Sequence, residues 1–400
     1  MNEALLSEGA LGPIGTRNRL IRAGTSETMA AADGAVTDEL TRLYGRLAEG
    51  GVGAIFTGHL YCHPRGQYAR RQTGVCDDSL MPGLRRLADA VHRAGGVVLG
   101  QVAHAGSQSR VPTLSPLAPS AVPNALTGRE VPAATPAEIE EAVAAFAAGA
   151  RRVVEAGFDG VHIHGANGYL ISEFLSPLTN RREDEWGGTA SHRARFALEV
   201  VRAVRAVVPP DRALTMKLGM VDAPPGGLDL EESARAAAQL VDAGLDALEV
   251  SCGVMLAASD SARQYVAVDR RRAAEDLLLH RLLAQPAEEA YFMPWARRLR
   301  RRVDTTLIAV GGMRRTETMN ALLAAGEADF IAIARPFIRE PDLARRIADG
   351  RSGRVDCTSC NICLMHEGHH SLRCWRTPRR RLLHHAAYRL AGGFRWGPLG

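Results

Sequence analysis

The chain has 400 residues, 46% of them hydrophobic and 23% charged, which is ample material for a large core and excludes a disordered chain. No apolar run reaches the roughly 18 residues of a membrane span, and the N-terminus MNEALLSEGALGPIG lacks the basic and apolar regions of a secretory signal, so the cytoplasm is the expected compartment. The net charge of +5 belongs to the tail, where Arg376, Arg379, Arg380, Arg381, Arg389 and Arg395 stand without an acid, so no basic groove for nucleic acid is indicated.

In chain order, short apolar, β-branched runs alternate with alanine-rich amphipathic segments. Strands are predicted at 19–23, 53–57, 97–102, 160–164, 214–218, 247–251, 307–310 and 330–334. Helices are predicted near 38–49, 79–94, 136–156, 191–207, 230–243, 287–302, 315–325 and 341–349. Thr135-Pro136 with Glu138 marks one helix start, and Gly157, Gly244 and Gly326 close others. Eight strand–helix units predict an α/β fold, a (β/α)8 TIM barrel, and the absence of a Gly-x-Gly-x-x-Gly turn after the first strand argues against a dinucleotide-binding sheet. Residues 1–350 are assigned to this barrel, 351–376 to a cysteine segment and 377–400 to a basic tail. Two long connections, 103–134 and 252–286, leave the C-terminal ends of strands, where barrel active sites are built. The second holds Arg270-Arg271-Arg272 and an apolar stretch at 277–283, which reads as a solvated helix over the rim or as a substrate lid.

The densest polar constellation follows the fourth strand, in Gly-Val-His-Ile-His-Gly-Ala-Asn-Gly-Tyr at 160–169. His164 ends the strand, and Asn167 and Tyr169 follow on the turn, so three hydrogen-bonding side chains converge at the active face. His162 shares the strand face of His164 and reads as a structural residue of the barrel interior. Lysine is used once, at Lys217, among 49 basic residues, a hint that this position requires an ammonium.

His164-x-x-Asn167-Gly-Tyr169-Leu, then Phe-Leu-Ser-Pro and Asn180-Arg-Arg-Glu-Asp-Glu-Trp-Gly-Gly, resembles the signature of the old yellow enzyme (NADH:flavin oxidoreductase) family. Asn18–Glu27, Gln101-Val-Ala-His104-Ala-Gly106, Val310-Gly311-Gly312-Met313 and Ala332-Ile-Ala-Arg335-Pro-Phe extend the resemblance over roughly residues 10–350. The resemblance implies an FMN flavoprotein that takes hydride from NAD(P)H. It implies that His164 and Asn167 bind a substrate carbonyl oxygen and that Tyr169 is the general acid. Gly24, Thr25, Ser26, Gln101 and Lys217 would contact the flavin, with Lys217 where the family usually places arginine beside N1 and the C2 carbonyl. Gly311, Gly312, Ala334 and Arg335 would hold its phosphate, with Ala334 where the family prefers glycine.

After the barrel, Cys357, Cys360, Cys363 and Cys374 have the spacing C-x2-C-x2-C-x10-C, which in an intracellular chain reads as metal binding. Three cysteines in one tight row suit a [4Fe–4S] cluster better than zinc. The segment also resembles the cluster loop of the trimethylamine dehydrogenase and 2,4-dienoyl-CoA reductase branch of the family, without the second domain of that branch. His366, His369 and His370 lie inside the loop, as solvated residues or substitute ligands. The tail from Arg379 reads as an amphipathic docking or membrane-surface helix, or as a segment that is folded back or disordered.

The expected function is NAD(P)H-driven reduction of an activated C=C bond in a small-molecule enone or enoyl thioester. One alternative is an iron–sulfur flavin dehydrogenase, oxidising an amine or similar substrate and passing electrons to a separate partner protein. Another is a non-catalytic flavin- or metal-binding module. A homo-oligomer is expected.

Overall fold

The computed structural model describes residues 2–124, 128–254, 289–360 and 362–391. Its centre is a closed barrel of eight parallel strands: β1 (Leu20–Arg22), β2 (Ala54–Phe56), β3 (Val98–Ala103), β4 (Gly160–Gly165), β5 (Ala213–Gly219), β6 (Ala247–Ser251), β7 (Thr306–Val310) and β8 (Phe330–Ile333). Each strand pairs with the next, and β8 returns to β1 through Ile331↔Leu20 to Ile333↔Arg22, so no edge is left open. Around it lie α1 (Asp38–Glu49), α2 (Met81–Arg93), α3 (Pro136–Glu155), α4 (Ala190–Arg205), α5 (Leu230–Asp242), α6 (Met293–Arg300), α7 (Thr316–Ala324) and α8 (Leu343–Ala348). The predicted (β/α)8 barrel is thus the observed fold. Helix α6 is shorter than the predicted segment 287–302, whose first two residues lie outside the described residues.

Alternation along the strands divides the residues between two environments. Val161, Ile163, Leu214, Met216, Leu248 and Val250 face outward and join the helices in the main core. Ile21, Ala54, Leu99, Ala213, Ala247, Ile308 and Phe330 point inward and fill the floor. Polar residues come next on the same parity: Gln101 above Leu99, Thr215 and Lys217 above Ala213, Glu249 above Ala247. A hairpin that the sequence reading did not anticipate, Gly9–Leu11 with Ile14–Thr16, plugs the floor. Its Leu11 joins the inner cluster, and Gly9 packs so near Phe330 that a Cβ would meet the ring at 2.6 Å. With the bottom sealed by apolar contacts, the C-terminal mouth is left for chemistry.

Helix α3 shows how local sequence sets the elements. Thr135 caps it, with Glu138 N donating to its Oγ1 (3.3 Å) and its own N donating to the Glu138 carboxylate (2.9 Å), and Pro136 takes the first turn. Beyond the barrel, helices Ile362–Met365 and Arg380–Leu390 form the C-terminal segment. The predicted tail is thus helical over most of its described part. Residues 392–400 lie outside the described residues, as do Arg270–Arg272 and the stretch 277–283.

Candidate active site

The mouth of the barrel gathers His164, Tyr169 and His59, all buried. His164 and Tyr169 pack with ring centroids 4.6 Å apart, and His59 meets Tyr169 edge-on at 5.5 Å. Burial, then the neighbouring His59, Lys217 and His162, holds the His164 imidazole well below its ordinary pKa, so the ring is neutral. Its Nδ1 accepts from Ala166 N (3.4 Å), which leaves the proton on Nε2 and makes that nitrogen a donor. Tyr68 stands 5.6 Å from Tyr169, and the Arg110 guanidinium lies over the Tyr68 ring at 4.9 Å.

Asn167 and Gly168 turn the chain from β4 into the short helix Leu170–Leu175 with φ of +60° and +73°. Asparagine is among the few side chains that tolerate this region, which explains the Asn-Gly pair. The turn points the Asn167 amide across the mouth, where Nδ2 donates to Cys252 Sγ (3.2 Å) and the backbone N donates to Cys252 O (2.9 Å). Tyr169 is therefore brought directly against His164, and Asn167 is tied to the end of β6.

Lys217 sits opposite His164 in the β4–β5 register and opposite Glu249 in the β5–β6 register. Its Nζ is ion-paired to Glu249, whose other oxygen meets His162 Nε2 at 3.0 Å; His162 Nδ1 in turn meets Thr215 Oγ1 at 2.7 Å. Burial alone would push the Glu249 carboxyl up; the Lys217 ammonium and His162 outweigh it and hold it at about 2. His162 is stacked on Phe56 at 4.1 Å inside the barrel, a structural position.

The residues expected around a flavin leave a site that fits one. Gln101 is buried, and its Nε2 has no hydrogen-bond partner, although buried amides are almost always paired. Gly24 faces this amide so closely that a Cβ would lie 2.5 Å from Oε1. Thr25 Oγ1 donates to Ala23 O (3.0 Å), and Ser26 hydrogen-bonds the Glu367 carboxylate. An unsatisfied donor beside a bare backbone strip suits the polar edge of a flat ring.

At the ends of β7 and β8, Gly311 and Gly312 are both left-handed (φ +105° and +73°), a conformation that turns backbone N–H groups outward. Ala334 precedes the short helix Arg335–Arg339 with φ −105°, so alanine is accommodated where glycine was expected. Arg335 lines a cavity with Cys357, Cys360, Cys363 and Cys374, and all four cysteines are free thiols. Burial, then Cys360, Cys357 and Cys374 in turn, pushes the Cys363 thiol up to about 12, so the four sulfurs share one neighbourhood. Among the described residues, no group of three or more His, Cys, Asp or Glu side chains is closed to metal-binding geometry.

Against known proteins, residues 10–353 match the model of the NADH:flavin oxidoreductase / NADH oxidase family. The chain belongs to that family. Its members are FMN-dependent oxidoreductases that draw on NAD(P)H. A 34% identical relative is the NADH oxidase of Thermoanaerobacter brockii, aligned over 90% of this chain and 53% of that protein. The chain thus spans about half the length of this relative. The 4,4'-dithiodibutanoate disulfide reductase of Rhodococcus erythropolis is 33% identical over 90% of this chain and 92% of its own. Among solved structures, a 2-naphthoyl-CoA reductase in complex with 2-naphthoyl-CoA superposes with a TM-score of 0.82 at 25% identity, over 96% of this chain and 58% of that one.

Sequence reasoning missed several residues of this family member's mouth. His59 and Gln72 come from the connection after β2 and carry no motif. Glu249 was hidden in an ordinary strand pattern. Glu367 lies in the cysteine segment, where burial raises its carboxyl and Arg110 opposes the rise. His366 corrects an expectation: it is buried, stacked on Trp375 at 3.5 Å and bridged to His370 and His385 at 3.0 Å each, so it is not a solvated loop residue.

Proposed function

We propose that the protein uses NAD(P)H to reduce an activated carbon–carbon double bond of an enone or enoyl thioester. The supporting observation is the packed pair His164–Tyr169, a neutral imidazole donating from Nε2 beside a phenol at the barrel mouth. FMN held there would supply the hydride, drawn from NAD(P)H, that reduction at the substrate β-carbon requires. Formation of a C–H bond at that carbon moves negative charge to the carbonyl oxygen. His164 Nε2–H, with Asn167, stabilises the charge there, and each such donor is worth about 3 kcal/mol in a site without competing water. Tyr169 then gives its phenolic proton to the α-carbon, completing addition of H2 across the double bond.

Gln101, with its unpaired Nε2, would hold the polar edge of the flavin, and Gly24, Thr25 and Ser26 its ring. Lys217 would supply positive charge beside it, while Gly311, Gly312, Ala334 and Arg335 would hold the phosphate. Cys357, Cys360, Cys363 and Cys374 supply the four thiolates that a [4Fe–4S] cluster requires, and such a cluster would exchange single electrons with a separate protein. That donor set keeps the second reading in view, a dehydrogenase that passes electrons from an amine to a partner.

Mixing the NADPH-reduced protein with cyclohexenone under anaerobic conditions separates these readings. Flavin reoxidation by the enone is expected. Reduction by an amine but not by NADPH would instead establish the dehydrogenase, and reoxidation by 4,4'-dithiodibutanoate alone would indicate a disulfide substrate. Tyr169→Phe is expected to leave reduction by NADPH intact and slow the enone step at least about tenfold; equal rates would remove Tyr169 from the mechanism.

A further inference from the structure

The phenol of Tyr169 is held by a chain of hydrogen bonds whose direction can be read without ambiguity. Gln72 Oε1 accepts from the backbone N of Tyr68 (2.6 Å), and Gln72 Nε2 donates to the backbone O of His59 (2.9 Å). Backbone N–H only donates and backbone C=O only accepts, so these two contacts fix the orientation of the amide. The same Nε2 lies 2.6 Å from His59 Nδ1 and must donate to it. His59 Nδ1 is therefore unprotonated. Burial holds this imidazole down to about 4, so at neutral pH it carries one proton, on Nε2. That nitrogen is 3.3 Å from Tyr169 Oη. His59, Gln72 and Tyr169 are all buried, so the arrangement is shielded from water.

We propose that His59 is a positioning residue for proton transfer by Tyr169: its Nε2–H donates to Tyr169 Oη, directs the phenolic proton away from His59, and stabilises the phenolate left when that proton is transferred. The inference rests on Tyr169 being the acid of the proposed reaction. In that step the hydride and its electron pair form the new C–H bond at the β-carbon. The π pair takes up the proton at the α-carbon as the Tyr169 O–H bond breaks, and its electrons stay on Oη. Once the product has left, water entering the mouth returns a proton to Oη. A donor already in place at Oη needs no reorganisation when the charge appears, which is why such contacts act on rate more than on binding.

The chain His59–Gln72 also explains why two residues without a motif are buried at the mouth. Gln72 fixes the tautomer, and the tautomer fixes who donates to Tyr169. Without Gln72, the proton could move to Nδ1 and Nε2 would become an acceptor, pulling the phenolic proton toward itself.

Single-turnover reoxidation of the reduced protein by cyclohexenone tests this. His59→Leu is expected to slow the enone step about tenfold or more while NADPH still reduces the flavin at its normal rate. His59→Gln, which keeps an amide donor near the same place, is expected to restore most of the rate, whereas the shorter His59→Asn is not. In a Tyr169→Phe background, His59→Leu should have no further effect, because the group it serves is gone. FMN content and Tm of each variant separate misfolding from lost positioning, and the Gln-versus-Asn comparison carries the test if the Leu variant fails to fold. An unchanged enone rate in His59→Leu, or the same slowing with and without the Tyr169 hydroxyl, would overturn the inference. A Tyr169→Phe protein with normal enone turnover would instead overturn the acid assignment, a result visible before any change at His59.

Discussion

At the residue scale, the ion pair at the centre of the barrel decides more than a surface pair could. Lys217 and Glu249 are buried, with His162 completing the carboxylate's partners. Removing one partner of such a pair leaves a charge with neither water nor counter-ion, at a loss of about 3–5 kcal/mol. Lys217→Met is expected to lower the urea midpoint by a corresponding amount; an unchanged midpoint would mean that Glu249 finds another partner. The Glu249 carboxyl is held below its unfolded value, so its contribution is complete above the ordinary carboxylate range near 4.3 and is lost as pH falls toward about 2. Urea midpoints of the normal protein and Lys217→Met should therefore converge between those values. Gly24 is read in the same way. Gly24→Ala would push the Gln101 amide aside, with a Cβ 2.5 Å from Oε1. The variant is expected to fold normally but bind FMN about tenfold more weakly, as measured by flavin fluorescence on titration.

At the element scale, each strand carries two messages on alternate residues. In β4, Val161 and Ile163 pack outward on the helices, while His162 and His164 point into the barrel. The pairing register then determines which inward residues meet: His164 lies beside Lys217, and Lys217 beside Glu249. A slip of one residue would exchange the two faces, so the core and the site are specified together. Helix α3 is tied at its start by the Thr135–Glu138 box and by the ion pair of Arg65 with Glu138 at 2.7 Å. Thr135→Ala is expected to lower stability by about 1 kcal/mol without altering the flavin spectrum, because neither Thr135 nor Glu138 is among the residues proposed to contact the flavin. Chemical denaturation monitored by far-UV circular dichroism would show a loss of that size, and a spectral change would mean that α3 communicates with the site.

At the scale of the whole molecule, the cysteine segment is part of the active-site wall. Gly368 N donates to Thr28 Oγ1 (3.2 Å), Ser371 Oγ donates to Glu39 (3.0 Å), and Glu367 reaches Ser26 and faces Arg110. The residues proposed to hold the flavin, by contrast, come from the barrel strands and their turns. If the segment holds the proposed [4Fe–4S] cluster, the normal protein should carry about four iron atoms per chain, and Cys363→Ser is expected to lose them while keeping its FMN. Zinc in place of iron by metal analysis would replace the cluster assignment, and joint loss of both cofactors would show that the segment holds the flavin too.

The sequence by itself determined the barrel, because strand alternation, helix caps and closing glycines are local signals that survive in one dimension. It also marked His164, Asn167 and Tyr169, which end or follow a strand whose C-terminal end was legible, and Lys217 as the single lysine, whereas Gln101 was marked only by the resemblance to the family. Only the tertiary structure decided their partners. Glu249 for Lys217, His59 for Tyr169, Cys252 for Asn167 and Glu367 for Arg110 are separated along the chain by 32 to 257 residues. No local periodicity encodes such pairs, because they arise when ring closure and a returning C-terminal segment bring distant side chains into one low-dielectric space, where charge and proton position are set by neighbours.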